Sequence, residues 1–215
     1  MTINLLHRHV RQLSECRRCH TAGFPVAGVP VSPVRAQDIP ALLSCKARIL
    51  IVGQAPGRTE ASGTQPFIGA AGRTLFNWFA SAGIDEADLR SSALISAVTR
   101  CYPGPSATGR GDRLPTRVES TLCRPWLEDE RKLLRPSLII PIGQMAIRVM
   151  TGRKVLSDLI GTTLVVDGIA CIPLPHPSGA SSWIYGPGNR DRLSAALKHI
   201  GKWWDSQIAG SGTPD

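Results

Sequence analysis

Apolar residues along this chain fall in short dense runs separated by Gly, Pro and polar stretches, and the runs set out the elements. Arg48–Gly53 (RILIVG) is a compact apolar run ending in a Gly/Pro turn, the pattern of a strand buried on both faces. Ala93–Thr99 and Leu138–Ile142 are two further strands, and residues 162–174 (TTLVVDGIACIPL) read as a hairpin turning at Asp167-Gly168. Leu5, Leu6, Val10 and Leu13 recur at helical spacing, which predicts a short helix leading into Cys16. A helix over Ala71–Ala82 is stopped by Gly83. Thr116 with Glu119 forms a capping-box pattern that opens a helix to about Leu134. Two more helices are expected from about Gln144 to Thr151 and from about Asp191 to Gln207, the latter amphipathic. Residues 20–47 read as an irregular Pro/Gly-rich wrap, and residues 101–115 as a loop.

Strands that alternate with helices imply an α/β protein with a mostly parallel sheet covered on both faces. No internal repeat or linker divides the chain, so residues 1–208 are read as one domain and 209–215 as a disordered tail. Ligands of such sheets sit beyond the carboxyl ends of the strands. Two segments fall there: Gly53-Gln54-Ala55-Pro56-Gly57 after the first strand and His176-Pro177-Ser178-Gly179 after the last.

Composition adds partners and setting. The 215 residues suffice for one sizeable core, and the 42% hydrophobic content is ordinary for a globular protein. No apolar run approaches the roughly 18 residues of a membrane span, and MTINLLHRHVRQ lacks the features of a signal peptide, so a cytoplasmic protein with no membrane association is expected. A net charge of +9 favours a polyanionic partner such as nucleic acid; a basic protein with no such partner is the plainer alternative. Six cysteines in such a chain argue for metal or redox use over disulfides. Cys16 and Cys19 form a C-x-x-C pair, and Cys101 and Cys123 flank the Pro/Gly-rich loop. Four thiolates suit zinc and an iron–sulfur cluster alike, and spacing does not separate them. Cys45 and Cys171 adjoin apolar runs and read as buried, inert thiols.

Each motif alone says little. Gly53-Gln54-Ala55-Pro56-Gly57 has the backbone freedom for close ligand approach, but also suits a plain strand-to-helix turn. Phe67, in Gln65-Pro66-Phe67-Ile68-Gly69, can present its face to a planar ligand, although a loop Phe is more often a core anchor. His176 can donate a hydrogen bond to a developing anion, and Ser178 with exposed N–H groups can hold a phosphate.

Taken in order, the segments GQAPG, PFIGAAGRTL, VTRCYPG, CRPWL and HPSG, with the C-x-x-C pair ahead of them, resemble the iron–sulfur uracil-DNA glycosylases of the uracil-DNA glycosylase superfamily. The resemblance spans about residues 13–205. It implies a three-layer α-β-α sandwich around a central, mostly parallel four-stranded sheet. It also implies a monofunctional enzyme, expected as a monomer, that hydrolyses the N-glycosidic bond of uracil in DNA and begins base excision repair. By the same resemblance Cys16, Cys19, Cys101 and Cys123 ligate a structural [4Fe–4S] cluster, near which Arg17 and Arg18 could reach phosphates. The base pocket is Gly53, Gln54, Ala55, Phe67, Ala97 and His176. Phe67 stacks on the flipped base, His176 donates to uracil O2 as charge develops there, and a water held at the first motif attacks the sugar. Ser178, Gly179 and Arg190 are expected at the DNA backbone, with Trp183, Ile184 and Tyr185 as candidate wedges for the space that the base vacates.

The chain departs from the family pattern at two positions. Gln54 stands where the family has Glu, and an amide can orient water but cannot take its proton; Glu60 is a candidate substitute. Ala97 stands where an Asn reads the polar edge of uracil, so a broader set of damaged bases is expected. The loop Pro105–Pro115 is longer than the family's usual one. A relative captures the abasic sugar through a histidine in an insertion here, but SATGRGDRL has none, so covalent capture is not expected. Two other functions remain on the sequence: a non-catalytic binder of damaged DNA, separated by a uracil-release assay, and an iron–sulfur electron carrier, which leaves GQAPG and HPSG unexplained.

Overall fold

The computed structural model describes residues 2–61, 65–108, 111–153, 158–179 and 181–209. In chain order the elements are α1 (Thr2–Ser14), α2 (Arg18–Thr21), a 3₁₀ turn (Ala36–Asp38), α3 (Ile39–Ser44), β1 (Ile49–Gly53), α4 (Arg58–Ala61), α5 (Ala70–Ser81), α6 (Glu86–Ser92), β2 (Ala93–Ala97), α7 (Arg117–Leu134), β3 (Leu138–Pro141), α8 (Gly143–Thr151), β4 (Leu164–Val166), β5 (Ile169–Cys171), a second 3₁₀ turn (Ser182–Tyr185) and α9 (Asn189–Ala209).

The sheet runs β2-β1-β3-β5-β4. The first four strands in that order are parallel, as expected. The sheet nonetheless has five strands, because β4 pairs antiparallel with β5 and forms the edge. The hairpin turn has positive φ at both Asp167 (48°) and Gly168 (78°), the tight geometry whose twist matches its strands.

Alternation along β1 divides the core. Ile49 and Ile51 pack with α5, α6 and α9 on one face, through residues such as Phe79, Leu89 and Ile200. Leu50 and Val52 pack with α1, α3 and α7 on the other, through Leu6, Leu42 and Leu127. All four β1 side chains are wholly buried, each stabilising the fold by about 1.5–3 kcal/mol. Helices on both faces make the three layers.

The helix signals have visible causes. Thr116 Oγ1 accepts from Glu119 N–H at 3.1 Å while the Glu119 carboxylate accepts from Thr116 N–H at 2.7 Å, closing the capping box. Gly83 (φ 83°) follows α5 in the left-handed conformation that ends it. The wrap over 20–47 is more ordered than expected, with α3 burying Ile39 and Leu42. α4 and α6 were not foreseen, being too short for helical periodicity, although Asp85 caps α6 by accepting from Asp88 N–H at 2.7 Å. In the tail, residues 210–215 lie outside the described residues, while Ala209 ends α9.

A buried polar network holds α1 to α7. The Glu130 carboxylate accepts from Ser96 Oγ at 2.8 Å, pairs with Arg100 and lies 3.3 Å from His9 Nε2. Burial alone would raise this carboxyl, but Arg100, His9 and Ser96 together hold it below the ordinary value. Cys171 is buried, which pushes its thiol up to about 12. Cys45 is half-buried, and its Sγ donates to Ser92 Oγ at 3.3 Å.

Candidate active site

A cleft of about 990 Å³ opens at the carboxyl ends of the strands. The sheet register explains what converges there. Gly53 at the end of β1 pairs with Ala97 at the end of β2, so the first motif and the position of the missing Asn lie side by side. Beyond β3 and β5, Gly143 N–H donates to Leu174 O at 2.9 Å, bringing the start of α8 against the chain that leads to His176. Gly143 has φ 80°, and a Cβ there would stand 3.2 Å from His176 Cβ and Cδ2, so the ring seats against a glycine. Gln54, Ala55, Glu60, Phe67 and His176 line the cleft, as do Ser178 and Trp183.

The protonation state of His176 follows from its bonds. Ser178 N–H donates to Nδ1 at 3.2 Å, and Ser178 Oγ lies 2.9 Å from the same nitrogen. A backbone N–H can only donate, so Nδ1 is an acceptor and the neutral ring carries its proton on Nε2. Burial pushes the imidazole pKa below its usual value, which keeps that form at neutral pH. The side chain is a neutral N–H donor, fixed in orientation by its own motif.

Glu60 joins the first two motifs. One carboxylate oxygen accepts from Gly57 N–H at 3.0 Å and the other from Gly69 N–H at 3.0 Å, in a site where Glu60 is 8% exposed. The candidate substitute for the missing acid therefore has both oxygens engaged as a clamp. Phe67 lies between the clamped segments. Its ring edge is 3.3 Å from where a Cβ on Gly53 would be, so it closes over the end of β1. Its φ is 56°, unusual for an aromatic residue. A Cβ on Gly72 would come 1.8 Å from Phe67 O, so only glycine lets α5 start against this turn.

Ser96 and Ala97 point to opposite faces: Ser96 Oγ is committed to Glu130 behind the sheet. Sequence reasoning missed Arg100, Asp112 and Gln144, which also line the cleft. Asp112 lies in the long loop, where an acid in GRGDR was the available signal. Its Oδ1 accepts from Tyr102 OH at 2.9 Å.

The segment after His176 separates its three apolar residues. Trp183 and Ile184 are partly buried against the core, whereas Tyr185 is 72% exposed. Gly179, Ile184, Tyr185 and Arg190 lie outside the cleft lining, and Arg190 is exposed on the first turn of α9. A Cβ on Gly179 would meet open space.

Cys16 precedes α2, Cys19 lies on it, Cys101 follows β2 and Cys123 lies on α7, the last three being buried. Burial raises the Cys101 thiol to about 12, with further contributions from Cys19, Cys123 and Cys16. Burial likewise raises Cys123 to about 11, against Arg100, with Cys19 and Cys16 adding to the rise. Since Cys19 feels Cys16, Cys101 feels the other three, and Cys123 feels Cys19 and Cys16, the four share one neighbourhood near the junction of α2 and α7. Among the described residues, no group of three or more His, Cys, Asp or Glu is drawn together tightly enough to hold a metal ion as it stands. Arg17 and Arg18 are exposed beside these thiols. Arg17 Nη1 donates to Cys16 O at 3.0 Å, and the Arg18 guanidinium lies 5.2 Å from the Trp126 ring centroid.

Comparison with known proteins agrees with this geometry. The family model of the uracil DNA glycosylase superfamily matches residues 40–200. The type-4 uracil-DNA glycosylase of Archaeoglobus fulgidus is 28% identical over 205 residues, covering 90% of each chain. That of Sulfurisphaera tokodaii is 25% identical, covering 91% of this chain and 83% of its own, and that of Pyrobaculum aerophilum is 27% identical, covering 75% and 67%. With its first, second and last motifs gathered at one cleft and the family model matched across the whole sheet, this chain belongs to the uracil DNA glycosylase superfamily.

Proposed function

We propose that this protein is a monofunctional uracil-DNA glycosylase that begins base excision repair. The observation that carries the reading is a neutral imidazole with its proton on Nε2, lining the same cleft as an aromatic ring that covers the end of β1. Uracil leaves as an anion while positive charge builds on the sugar. A nucleotide extruded from the helix enters the cleft. Phe67 stacks on its base, and His176 Nε2–H donates to O2 as negative charge develops. Stabilising that anion without giving up a proton is what a neutral, preorganised donor does. Backbone groups of Gly53 and Ala55 hold the base, and the Gln54 amide orients water. Ala97 leaves one polar edge of the base unread, which widens the set of acceptable bases. No lysine is found among the described residues lining the cleft, which accords with hydrolysis without strand cleavage.

The basic surface, with a net charge of +9, suits DNA as the partner. Ser178, Gly179 and Arg190 contact its backbone, and Tyr185 enters the stack. Cys16, Cys19, Cys101 and Cys123 fit a four-thiolate group. They share one neighbourhood, and Arg113 at Cys19, Arg17 at Cys101 and Arg100 at Cys123 each oppose part of the rise that burial gives the thiol. The group we propose for them is a [4Fe–4S] cluster, which four Cys thiolates hold. When bound, it ties α2 to α7 structurally. A monomer acting in the cytoplasm completes the reading; among the described residues no helix is long and apolar enough to cross a membrane.

The test is uracil release from single- and double-stranded oligonucleotides, with hypoxanthine, xanthine and ethenocytosine alongside. Excision of uracil, with His176→Ala slower by about 100-fold, is expected. Tight binding of the DNA without release would instead identify a damaged-DNA binder.

A further inference from the structure

Gln54 leaves the first motif without a carboxylate, and the acids among the described residues lining the cleft are Glu60 and Asp112. Glu60 has both oxygens on the N–H groups of Gly57 and Gly69. Asp112 is differently placed. Its backbone forms an antiparallel bridge with Pro105, and its Oδ1 accepts from Tyr102 OH at 2.9 Å. Tyr102 is 4% exposed and bridges to Ala27, so the phenol is a firm anchor. The second oxygen, Oδ2, lies 3.4 Å from where a Cβ on Gly57 would stand, which sets it over the first-motif turn. Among the described residues, Oδ2 has no hydrogen-bond partner. A carboxylate held by one oxygen, with the other free above the first-motif turn, is placed to act rather than to brace.

We infer that Asp112 supplies the carboxylate that the first motif lacks, orienting the attacking water and taking its proton. The assignment rests on the glycosylase reading above. In the step, the bond from C1′ to N1 of uracil breaks and its electron pair leaves with the base. The water oxygen bonds to C1′, and its proton passes to Asp112 Oδ2 and then to solvent. His176 keeps its own proton throughout, and the uracil anion is neutralised by solvent after release. Before that step, the negative charge of Asp112 also favours the cationic sugar. Nothing in the loop's length announced this; the bridge to Pro105 and the bond from Tyr102 turn the insertion back over the cleft.

The titratable and charged groups around Asp112 are Tyr102 and Arg113 on its own loop, Arg58 and Glu60 on α4, and Arg100 and His176 in the same cleft. Arg113 is paired with Glu119 and Arg100 with Glu130, while Arg58 bonds to Tyr102 and also feels the charge of Asp112, so a cation stands near the carboxylate without a hydrogen bond to Oδ2.

The experiment uses the full-length, cluster-loaded protein and single-turnover release of uracil between pH 5 and 9. Asp112→Asn should slow release by about 100-fold, the low end for loss of a general base. It should flatten the acid limb of the rate profile and leave binding to uracil-containing DNA intact. Tyr102→Phe, which frees Oδ1, should give a smaller loss with the limb retained. Adding Gln54→Glu to Asp112→Asn should recover much of the rate by returning a carboxylate to the turn. Because Asp112 is exposed, the variant should melt as wild type does. A near-wild-type rate for Asp112→Asn, or a loss matched by weaker binding with the pH profile unchanged, would overturn the assignment while leaving the glycosylase reading intact. A wild-type protein that releases no uracil would end both.

Discussion

The N–H of Ser178 points at Nδ1 of His176 across 3.2 Å, and that one bond fixes which ring nitrogen carries the proton. Burial lowers the imidazole pKa from its usual value near 6.5. The sign for stability follows. Below about pH 6.5 the unfolded chain takes up a proton that the folded chain resists, so folding loses stability as pH falls through that range and regains it above. Nitrogen-detected NMR should find His176 as the neutral Nε2–H tautomer at pH 7, with a midpoint below 6.5. A midpoint above 6.5 would contradict the burial argument. His176→Gln should remove this part of the pH dependence of unfolding.

Glu60 is expected to matter for order more than for proton transfer. In Glu60→Gln one of the two N–H groups, of Gly57 or Gly69, would face an amide NH₂ and lose its acceptor. Leaving a part-buried donor unsatisfied costs about 1 kcal/mol, the low end for a lost partner, measurable by denaturant unfolding. Excision should slow because the two clamped segments loosen, yet the shape of the pH–rate profile should not change. A lost limb in this variant would make Glu60 the base instead.

Gly72 is expected to be irreplaceable. Alanine would place its Cβ 1.8 Å from Phe67 O, a backbone atom that cannot swing aside. Overpacking of this kind costs roughly 1–3 kcal/mol or more, and the displaced Phe67 should lose its place over Gly53. Gly179→Ala, whose new methyl meets open space, is the matched control and should melt as wild type does.

Tyr185 is expected to be the wedge. With Trp183 and Ile184 packed on the core, it is the exposed apolar side chain of that turn. Tyr185→Ala should impair excision from duplex DNA more than from single strands, since only the duplex has a gap to fill. Trp183→Ala should act differently, lowering the melting temperature. Equal losses on both substrates for Tyr185→Ala would show that the turn does not enter the stack.

Anaerobically purified protein should be brown, with about four irons per chain. Cys101→Ala or Cys123→Ala should lose the colour and melt earlier, because each leaves a gap at the junction of α2 and α7. Colourless protein with stoichiometric zinc would overturn the cluster.

Much of this protein was legible from local rules. The apolar runs gave β1, β2 and β3 because a strand buried on both faces is apolar at nearly every position, Ser96 of β2 being the exception with its partner Glu130. Thr116 with Glu119 gave the start of α7, and Asp167-Gly168 gave the hairpin turn, because capping and tight turns are settled within a few residues. The motifs marked Gln54, Phe67 and His176 because strand ends in a parallel sheet are where ligands bind. What tertiary structure alone decided is everything that depends on partners distant in sequence. The antiparallel edge strand required knowing where the hairpin docks. Glu60 looked like a spare acid until the N–H groups of Gly57 and Gly69, the second nine residues away, took both its oxygens. Trp183, Ile184 and Tyr185 are alike in sequence, and only packing against the core separates them. Asp112 was one acid in a polar loop until Tyr102 turned it over the first motif. Local chemistry is written in neighbouring residues, but a side chain's job is set by which of its atoms the rest of the fold leaves free.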